Sequence, residues 1–198
     1  MIYLDSAATS LIKPDGVQYA VVNAMLTMAS PGRGAHEAAM RAAEKCCDCR
    51  EALSQLFGVE EPDSVVFTFN ATHALNIAIR SIVRPGMRVL VSGYEHNSVT
   101  RPLRAAGAEI VYADTPLFEP ELMLERFERE LPECGAAVFT CVSNVFGYIL
   151  PFEELSRLCR ETGRPFVIDA SQAAGVMELS LERLGADFIA MPGHKGLL

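Results

Sequence analysis

Residues 136–172 read AAVFTCVSNVFGYILPFEELSRLCRETGRPFVIDASQ. Two near-continuous apolar runs, Ala136 to Val142 and Pro165 to Asp169, frame this stretch, and each leads into polar residues. The residues between them, about 152–162, are long enough for the helix that crosses over between two parallel strands. Runs without alternation are typical of strands that are covered on both faces. The stretch therefore predicts one strand, helix and strand of a parallel α/β sheet.

The same alternation recurs along the chain from about residue 64. Six apolar runs predict strands: Ser64 to Phe69, Arg88 to Ser92, Glu109 to Ala113, Ala136 to Val142, Pro165 to Asp169 and Asp187 to Met191. The segments 71–83, 97–106, 119–131 and 152–162 predict crossover helices, whereas 170–186 is less regular. The predicted fold class is α/β, a doubly wound and mostly parallel sheet with helices on both faces.

For residues 1–60 we predict an arm and helices that pack beside the α/β layer of residues 61–198. Pro14 suits the first turn of a helix over about 14–28, and a second helix over 35–57 ends at Gly58. Small and apolar residues recur along the second helix at steps of three and four, which predicts a buried stripe: Ala39, Ala42, Cys46, Cys49, Leu53 and Leu56. Cys47 falls outside this stripe.

The six cysteines occur in an otherwise ordinary intracellular composition, so we expect reduced thiols: Cys46, Cys47, Cys49, Cys134, Cys141 and Cys159. The C-x-x-C from Cys46 to Cys49 has no second ligand pair, and neither cysteine follows a strand at the start of a helix. No metal site is predicted.

The charge balance narrows the class of partner. Among 198 residues, 17 Lys and Arg stand against 25 Asp and Glu, a formal net charge of −8, and the mean hydropathy is +0.20. Nucleic-acid binding draws on cation density along one face, so it is not expected. Apolar runs fall short of the ~18 residues of a membrane helix, and the first residues lack signal-peptide features. We expect a cytoplasmic protein that binds no membrane.

Polar residues follow five of the predicted strands. In open parallel sheets, ligands bind beyond the carboxyl ends of the strands. The residues at that edge are Asn70 to His73, Tyr94 to Asn97, Ser143 and Asn144, Asp169 to Gln172, and Gly193 to Lys195. We expect them to surround a single crevice.

These segments suit different parts of one ligand. Residues 70–72 open a helix, whose free N–H groups and positive dipole end favour a phosphate. The Asp169 carboxylate, at the end of a buried strand, requires a cation or strong donors. In a water-poor pocket the Lys195 amine can lose its proton and react with an aldehyde, and His96 offers a flat face. Together these groups describe pyridoxal 5'-phosphate. The glycine patterns of dinucleotide and nucleoside-triphosphate sites are missing.

The order and spacing of seven motifs resemble class V, fold-type I pyridoxal-phosphate enzymes of the cysteine desulfurase group. The motifs span nearly the whole chain: Tyr3-Leu4-Asp5-Ser6-Ala7-Ala8-Thr9, Arg33-Gly34-Ala35-His36, Phe67-Thr68-Phe69-Asn70-Ala71-Thr72-His73-Ala74-Leu75-Asn76, Glu95-His96-Asn97-Ser98, Val142-Ser143-Asn144, Asp169-Ala170-Ser171-Gln172-Ala173 and Gly193-His194-Lys195-Gly196.

The resemblance implies the large domain of a pyridoxal-phosphate-dependent transferase and assigns three catalytic residues by position. Lys195 binds the cofactor covalently and moves protons, Asp169 keeps the pyridine nitrogen protonated, and His96 stacks on the ring. The resemblance also implies further cofactor-binding residues. Ala71, Thr72 and His194 would bind the phosphate, and Asn144 and Gln172 would lie near the ring hydroxyl and the substrate. The implied reaction turns L-cysteine into L-alanine and passes enzyme-bound persulfide sulfur to an acceptor protein, in a homodimer.

Three other polar residues keep two interpretations, and a fourth, Glu95, has a structural one. Arg33 and His36 resemble an active-site wall shared across a dimer, or they are a helix-start pair without chemistry. His73 stands where relatives often carry an acidic or amide side chain, and is otherwise helix surface. Glu95 orients its neighbours.

Two departures from the family pattern matter. Pro192 stands where many relatives carry a hydroxyl that binds the phosphate, so one contact is missing or moved. Family members also continue past the position of Leu198, with a small C-terminal domain, the persulfide-forming cysteine and an arginine for the substrate carboxylate. We therefore expect residues 1–198 alone to be an N-terminal fragment with little or no desulfurase activity.

Two alternatives stay open. The same ring-binding residues suit a class V aminotransferase or a β-lyase similar to selenocysteine lyase. The second alternative is a non-catalytic remnant of such an enzyme that binds a partner. In that case we expect an incomplete sheet that leaves apolar surface exposed.

Overall fold

The computed structural model describes residues 2–197; Met1 and Leu198, which belong to the predicted segments 1–60 and 61–198, lie outside the described residues. Five strands form one sheet: β1 Arg88–Val91, β2 Glu109–Tyr112, β3 Ala136–Thr140, β4 Phe166–Asp169 and β5 Phe188–Ala190. The α-helices of the described residues are α1 Asp15–Thr27, α2 Glu37–Phe57, α3 Ala71–Ile82, α4 Asn97–Ala105, α5 Pro120–Glu130, α6 Phe152–Glu161 and α7 Leu181–Leu184. None of these helices combines the length and apolar character needed to cross a membrane.

The strand order is β2-β1-β3-β4-β5, and every neighbouring pair is parallel. The chain runs outward from β1 to β2 and then returns past β1 to β3. Strand order therefore reverses between β1 and β3, and ligands bind at such a point in doubly wound sheets. The predicted α/β class is confirmed.

Alternate strand residues face two apolar cores, one on each side of the sheet. Val89, Val91 and Val138 pack on the side of α3 and α4. Leu90 and Phe139 pack on the opposite side, with α5 and α6. Covering on both faces explains why the central strands are apolar throughout rather than alternating.

The predicted strand from Ser64 to Phe69 is wrong. A 3-10 turn occupies Pro62–Ser64, and the residues after it join no strand of the described sheet. Val66 and Phe69 are exposed, and the Arg50 guanidinium lies 5.5 Å from the centre of the Phe67 ring. An apolar run shows that residues can line a sheet, but a strand also needs a neighbour for its N–H and C=O groups.

The predicted buried stripe on α2 is wrong in its second half. Ala39 and Ala42 are buried, but Cys49 and Leu56 are exposed and Cys46 is half-buried. Only the ends of this 21-residue helix carry buried residues, the C-terminal ones being Ser54 and Phe57. The helix ends at Gly58, whose φ of 62° suits a residue without a side chain.

Candidate active site

The carboxyl ends of the strands and the start of α3 surround one cavity of about 390 Å³. Its wall contains all the residues predicted to bind the cofactor: Ala71, Thr72, His96, Asn144, Asp169, Gln172, His194 and Lys195. His96 follows β1 and Asn144 follows β3, so the cavity lies where the strand order reverses. The structure thus brings these residues together, and their roles stay predictions.

The N-terminus of α3 forms a wall that favours anions. Asn70 caps the helix, and its Oδ1 accepts the N–H of His73 at 2.8 Å. The N–H groups of Ala71 and Thr72 belong to the first turn, where the helix itself supplies no acceptor. Together with the positive end of the helix dipole, they suit a phosphate.

Asp169 ends β4 with its carboxylate at the cavity. The residue is only 3% exposed, and its Oδ1 accepts the N–H of Ser171 at 2.9 Å. Within residues 2–197, nothing donates a hydrogen bond to its Oδ2. A buried carboxylate with one free oxygen is stabilised by a protonated donor from a ligand.

His96 caps α4 with its ring. The N–H of Ser98 donates to Nδ1 at 3.1 Å, and the Ser98 hydroxyl lies 2.8 Å from the same atom. Because Nδ1 accepts, the proton of the neutral ring belongs on Nε2. Ser98, which sequence reasoning did not select, therefore fixes both the plane and the tautomer of His96.

Lys195 lies in the loop after β5, at non-helical angles of φ −106° and ψ −108°. The sequence contains two other lysines, and both are engaged: Lys13 donates to the Ser10 carbonyl at 2.7 Å, and Lys45 pairs with Asp48. The hydrogen bond and charge of Asp48 raise the pKa of Lys45. Among the described residues, none forms a hydrogen bond or an ion pair with the Lys195 amine.

A wall that sequence reasoning missed is the segment 5–10, here called the strap. Its residues Ala7 and Ala8 line the cavity. Nε2 of Gln172 donates to the Ala7 carbonyl at 2.9 Å, so one end of this predicted ligand-binding side chain is already occupied. Ala7 and Ala8 are small and lie far in sequence from the other residues of the cavity, so no periodic pattern indicates their position. The family resemblance of the motif from Tyr3 to Thr9 is the one feature that could have indicated the strap.

Four candidates do not line this cavity: Arg33, His36, His73 and Glu95. His36 caps α2, where its Nδ1 accepts the N–H of Ala39 at 3.4 Å. The His73 ring stacks on Phe69 with 5.1 Å between centroids. Glu95 accepts the N–H groups of Ser92 and Gly93 at 2.9 and 2.8 Å, which agrees with an orienting role.

The donor set of the cavity fits pyridoxal 5'-phosphate. It offers N–H groups for a phosphate, a buried carboxylate for a ring nitrogen and an amine for an aldehyde, within a volume suited to a small cofactor. Pro192 also lines the cavity and, as expected, offers neither a hydroxyl nor an N–H. Within residues 2–197, no group of three His, Cys, Asp or Glu side chains could hold a metal ion.

Comparison with known proteins agrees with this fold. A model of the aminotransferase class-V family matches residues 2–198. The probable cysteine desulfurase of Methanothermobacter thermautotrophicus is 33% identical, with 100% of this chain and 50% of that protein covered. The cysteine desulfurase IscS of Vibrio vulnificus is 30% identical, with 98% and 50% covered.

Among solved structures, the apo cysteine desulfurase of Thermococcus onnurineus NA1 superposes with a TM-score of 0.87 at 30% identity, over 98% of this chain and 50% of that one. The chain therefore spans about half the length of the relatives it matches. Since the family model extends over essentially the whole sequence and the fold agrees with it, this chain belongs to the aminotransferase class-V family.

Proposed function

We propose that this chain forms the cofactor-binding part of a pyridoxal-phosphate-dependent cysteine desulfurase. The observation that carries the proposal is that Asp169, Lys195 and the N-terminus of α3 open into one cavity. These groups match three parts of one molecule: the ring nitrogen, the aldehyde and the phosphate. The reaction class is supported by the relatives, which are named cysteine desulfurases.

The residues of this chain prepare the chemistry. When bound, pyridoxal phosphate withdraws electrons from the α-carbon of an amino acid and eases loss of its proton. Ala71 and Thr72 hold the phosphate through their N–H groups. The Asp169 carboxylate favours a proton on the ring nitrogen, because opposite charges attract strongly in a desolvated site. Lys195 would hold the cofactor through its aldehyde, and its amine would move the substrate proton.

His96 has a fixed orientation in this proposal. Since Nδ1 accepts from Ser98, Nε2–H is the ring donor that is left for a ligand in the cavity that His96 lines. The face of the His96 ring would pack on the cofactor ring, and Nε2–H would donate a hydrogen bond. His96 thereby orients the bound ring and supplies a proton donor beside it.

The proposed substrate is L-cysteine. Its C–S bond breaks, the sulfur bonds to a cysteine thiol as a persulfide, and cysteine plus thiol become alanine plus persulfide, from which an acceptor protein takes the sulfur. Among the described residues no cysteine lines the cavity, and burial raises the pKa of Cys159 to about 12. Buried thiols are poor nucleophiles. We therefore place the persulfide on a thiol outside this set, as in the family pattern.

A homodimer belongs to the same proposal. Helix α1 contains no buried residue and exposes Tyr19, Met25 and Leu26 at 74%, 80% and 80%. A second copy that covers this face would remove apolar surface from water. The mass from light scattering tests this point directly.

The test of the cofactor proposal uses the small number of lysines. The protein is mixed with pyridoxal phosphate, treated with borohydride to fix any lysine–cofactor bond, and mapped by mass spectrometry. We expect one adduct, on Lys195, because Lys13 and Lys45 are engaged. Lys195→Ala should lose the adduct, and the matched control Lys45→Ala should keep it.

Two results would contradict the proposal. One is an adduct spread over Lys13 and Lys45, and the other is no adduct at all. Either result favours the alternative of a non-catalytic, partner-binding chain.

A further inference from the structure

We propose that the strap, through the Thr9 hydroxyl, positions Lys195 for its bond to the cofactor. The inference rests on the proposed function and extends it to a segment 185 residues away in sequence. In this role Thr9 is a positioning residue: it contacts the peptide that carries Lys195 rather than the reacting atoms.

Three hydrogen bonds from the strap meet at the carbonyl of His194. The Thr9 hydroxyl donates to it at 3.0 Å, the Ser10 hydroxyl at 3.3 Å and the Ser10 N–H at 3.4 Å. His194 Nδ1 lies 3.1 Å from the Thr9 hydroxyl, which can accept its proton. This carbonyl belongs to the peptide bond between His194 and Lys195, so the strap holds the backbone directly at the lysine.

The other side of Lys195 is held by close backbone packing. A Cβ atom on Gly196 would lie 2.3 Å from the carbonyl oxygen of Ala174 and 2.7 Å from Cγ2 of Val176. No side chain fits at Gly196, and the loop is pressed against residues 174–176. Lys195 is therefore fixed from both sides, by the strap at His194 and by this turn at Gly196.

The strap is itself braced and can act as a support. Its turn is closed by the N–H groups of Ala8 and Thr9, which donate to the Asp5 carbonyl at 3.1 and 3.4 Å. The Tyr3 hydroxyl lies 2.7 Å from the Thr9 carbonyl. Lys13 donates to both oxygens of Ser10, at 2.7 and 2.9 Å.

Positioning should affect the covalent step more than cofactor binding. In that step the lysine nitrogen forms a C=N bond to the aldehyde carbon, and the aldehyde oxygen leaves as water. The rate depends on where the amine is held. Two of the three predicted phosphate-side residues, Ala71 and Thr72, belong to α3, and the described hydrogen bonds of Thr9 do not involve that helix. The third, His194, contacts the Thr9 hydroxyl through Nδ1.

The experiment compares two ligands on the intact protein. Pyridoxal phosphate reports bond formation, followed by its absorbance change and confirmed by borohydride fixation on Lys195. Pyridoxine phosphate, which has an alcohol in place of the aldehyde, reports binding alone. Thr9→Val removes the hydroxyl at nearly constant volume. We expect bond formation to slow by about fivefold or more, the factor that an ordinary hydrogen bond supplies, with a clearly smaller change in the affinity for pyridoxine phosphate, because Thr9 touches only one of the three predicted phosphate-side residues, His194.

Three variants complete the comparison. Thr9→Ser keeps the hydroxyl and should restore the wild-type rate. Ser10→Ala should have a smaller effect than Thr9→Val, because the Ser10 hydroxyl makes one longer hydrogen bond to His194, at 3.3 Å, whereas the Thr9 hydroxyl contacts both the carbonyl at 3.0 Å and Nδ1 at 3.1 Å. Ser6→Ala removes a strap hydroxyl that makes no hydrogen bond to the described residues and should leave the rate unchanged.

The outcomes separate the inference from the proposed function. An unchanged rate in Thr9→Val, or equal weakening of both ligands, overturns the positioning role. If the wild-type protein binds neither ligand, the proposed function itself fails, and the inference with it.

Discussion

At the scale of single residues, Glu95 closes the turn after β1. Its carboxylate accepts N–H groups from Ser92 and Gly93, and it is paired with the Ser92 hydroxyl. Removal from water raises the pKa of Glu95 above its ordinary value of 4.5, and these hydrogen bonds oppose that rise. The turn leads directly to His96, so the protonation of Glu95 is linked to the wall of the cavity.

The raised pKa of Glu95 predicts a pH-dependent stability. The folded protein holds this proton more tightly than the unfolded chain, so the contribution of Glu95 to stability is fully present below pH 4.5 and is lost as the pH rises through the folded pKa. Glu95→Gln cannot ionise and should flatten this part of the profile, measured by urea unfolding from acid to neutral pH. Glu154→Gln, an exposed site, is the control and should keep the wild-type slope. A wild-type slope in Glu95→Gln would contradict the assignment.

At the scale of elements, the start of α3 has two separable tasks. Asn70 satisfies the His73 N–H, and the same turn presents the N–H groups of Ala71 and Thr72 to the cavity. A capping side chain stabilises the helix whether it is neutral or charged, but a negative charge there repels an anion. Substitution of Asn70 can therefore distinguish support of the helix from binding of a phosphate.

Two variants of Asn70 test this separation. Asn70→Ala should lower the free energy of unfolding by about 1 kcal/mol, the usual cost of losing a cap. Asn70→Asp keeps the cap acceptor and should unfold like the wild type, but it should bind pyridoxine phosphate more weakly. Thermal unfolding and a binding titration measure the two effects. Equal affinity in Asn70→Asp and wild type would show that the phosphate is held elsewhere.

The helices whose bounds are set by neighbouring residues could be predicted from the sequence. The crossover helices begin and end close to the predicted residues, because periodicity and turn residues act over a few positions. The run from Ser64 to Phe69 and the second half of the α2 stripe could not be predicted, since pairing and burial depend on what lies beside a segment. The strand-end rule placed Asp169 and Lys195 correctly at one cavity, whereas the Thr9 contact with His194 has no pattern in the sequence.

At the scale of the whole molecule, burial separates three core cysteines from two exposed ones, with Cys46 half-buried between them. Cys134, Cys141 and Cys159 are buried in the core on the α5 and α6 side, and burial raises the pKa of each. The exposed thiols are Cys47 and Cys49 on α2. Alkylation requires both access and the thiolate, so the classes should differ widely in reactivity.

Iodoacetamide labelling of the native protein tests this division. Cys47 and Cys49 should react first, whereas Cys141 and Cys159 should react only after unfolding in urea. Mass spectrometry of timed samples gives each rate separately. Labelling of Cys141 in the native protein at the rate of Cys47 would contradict the described core.

The hydrogen bond between Thr9 and His194 also bears on how the site is assembled. Its 185-residue separation makes it one of the most non-local contacts a chain of this length can form. Loop closure over such a span costs entropy, so the contact is favoured once the sheet has brought the two segments together. Lys195 follows β5, so a ribosome-bound chain that has emerged only as far as β4 cannot yet capture the cofactor through this lysine.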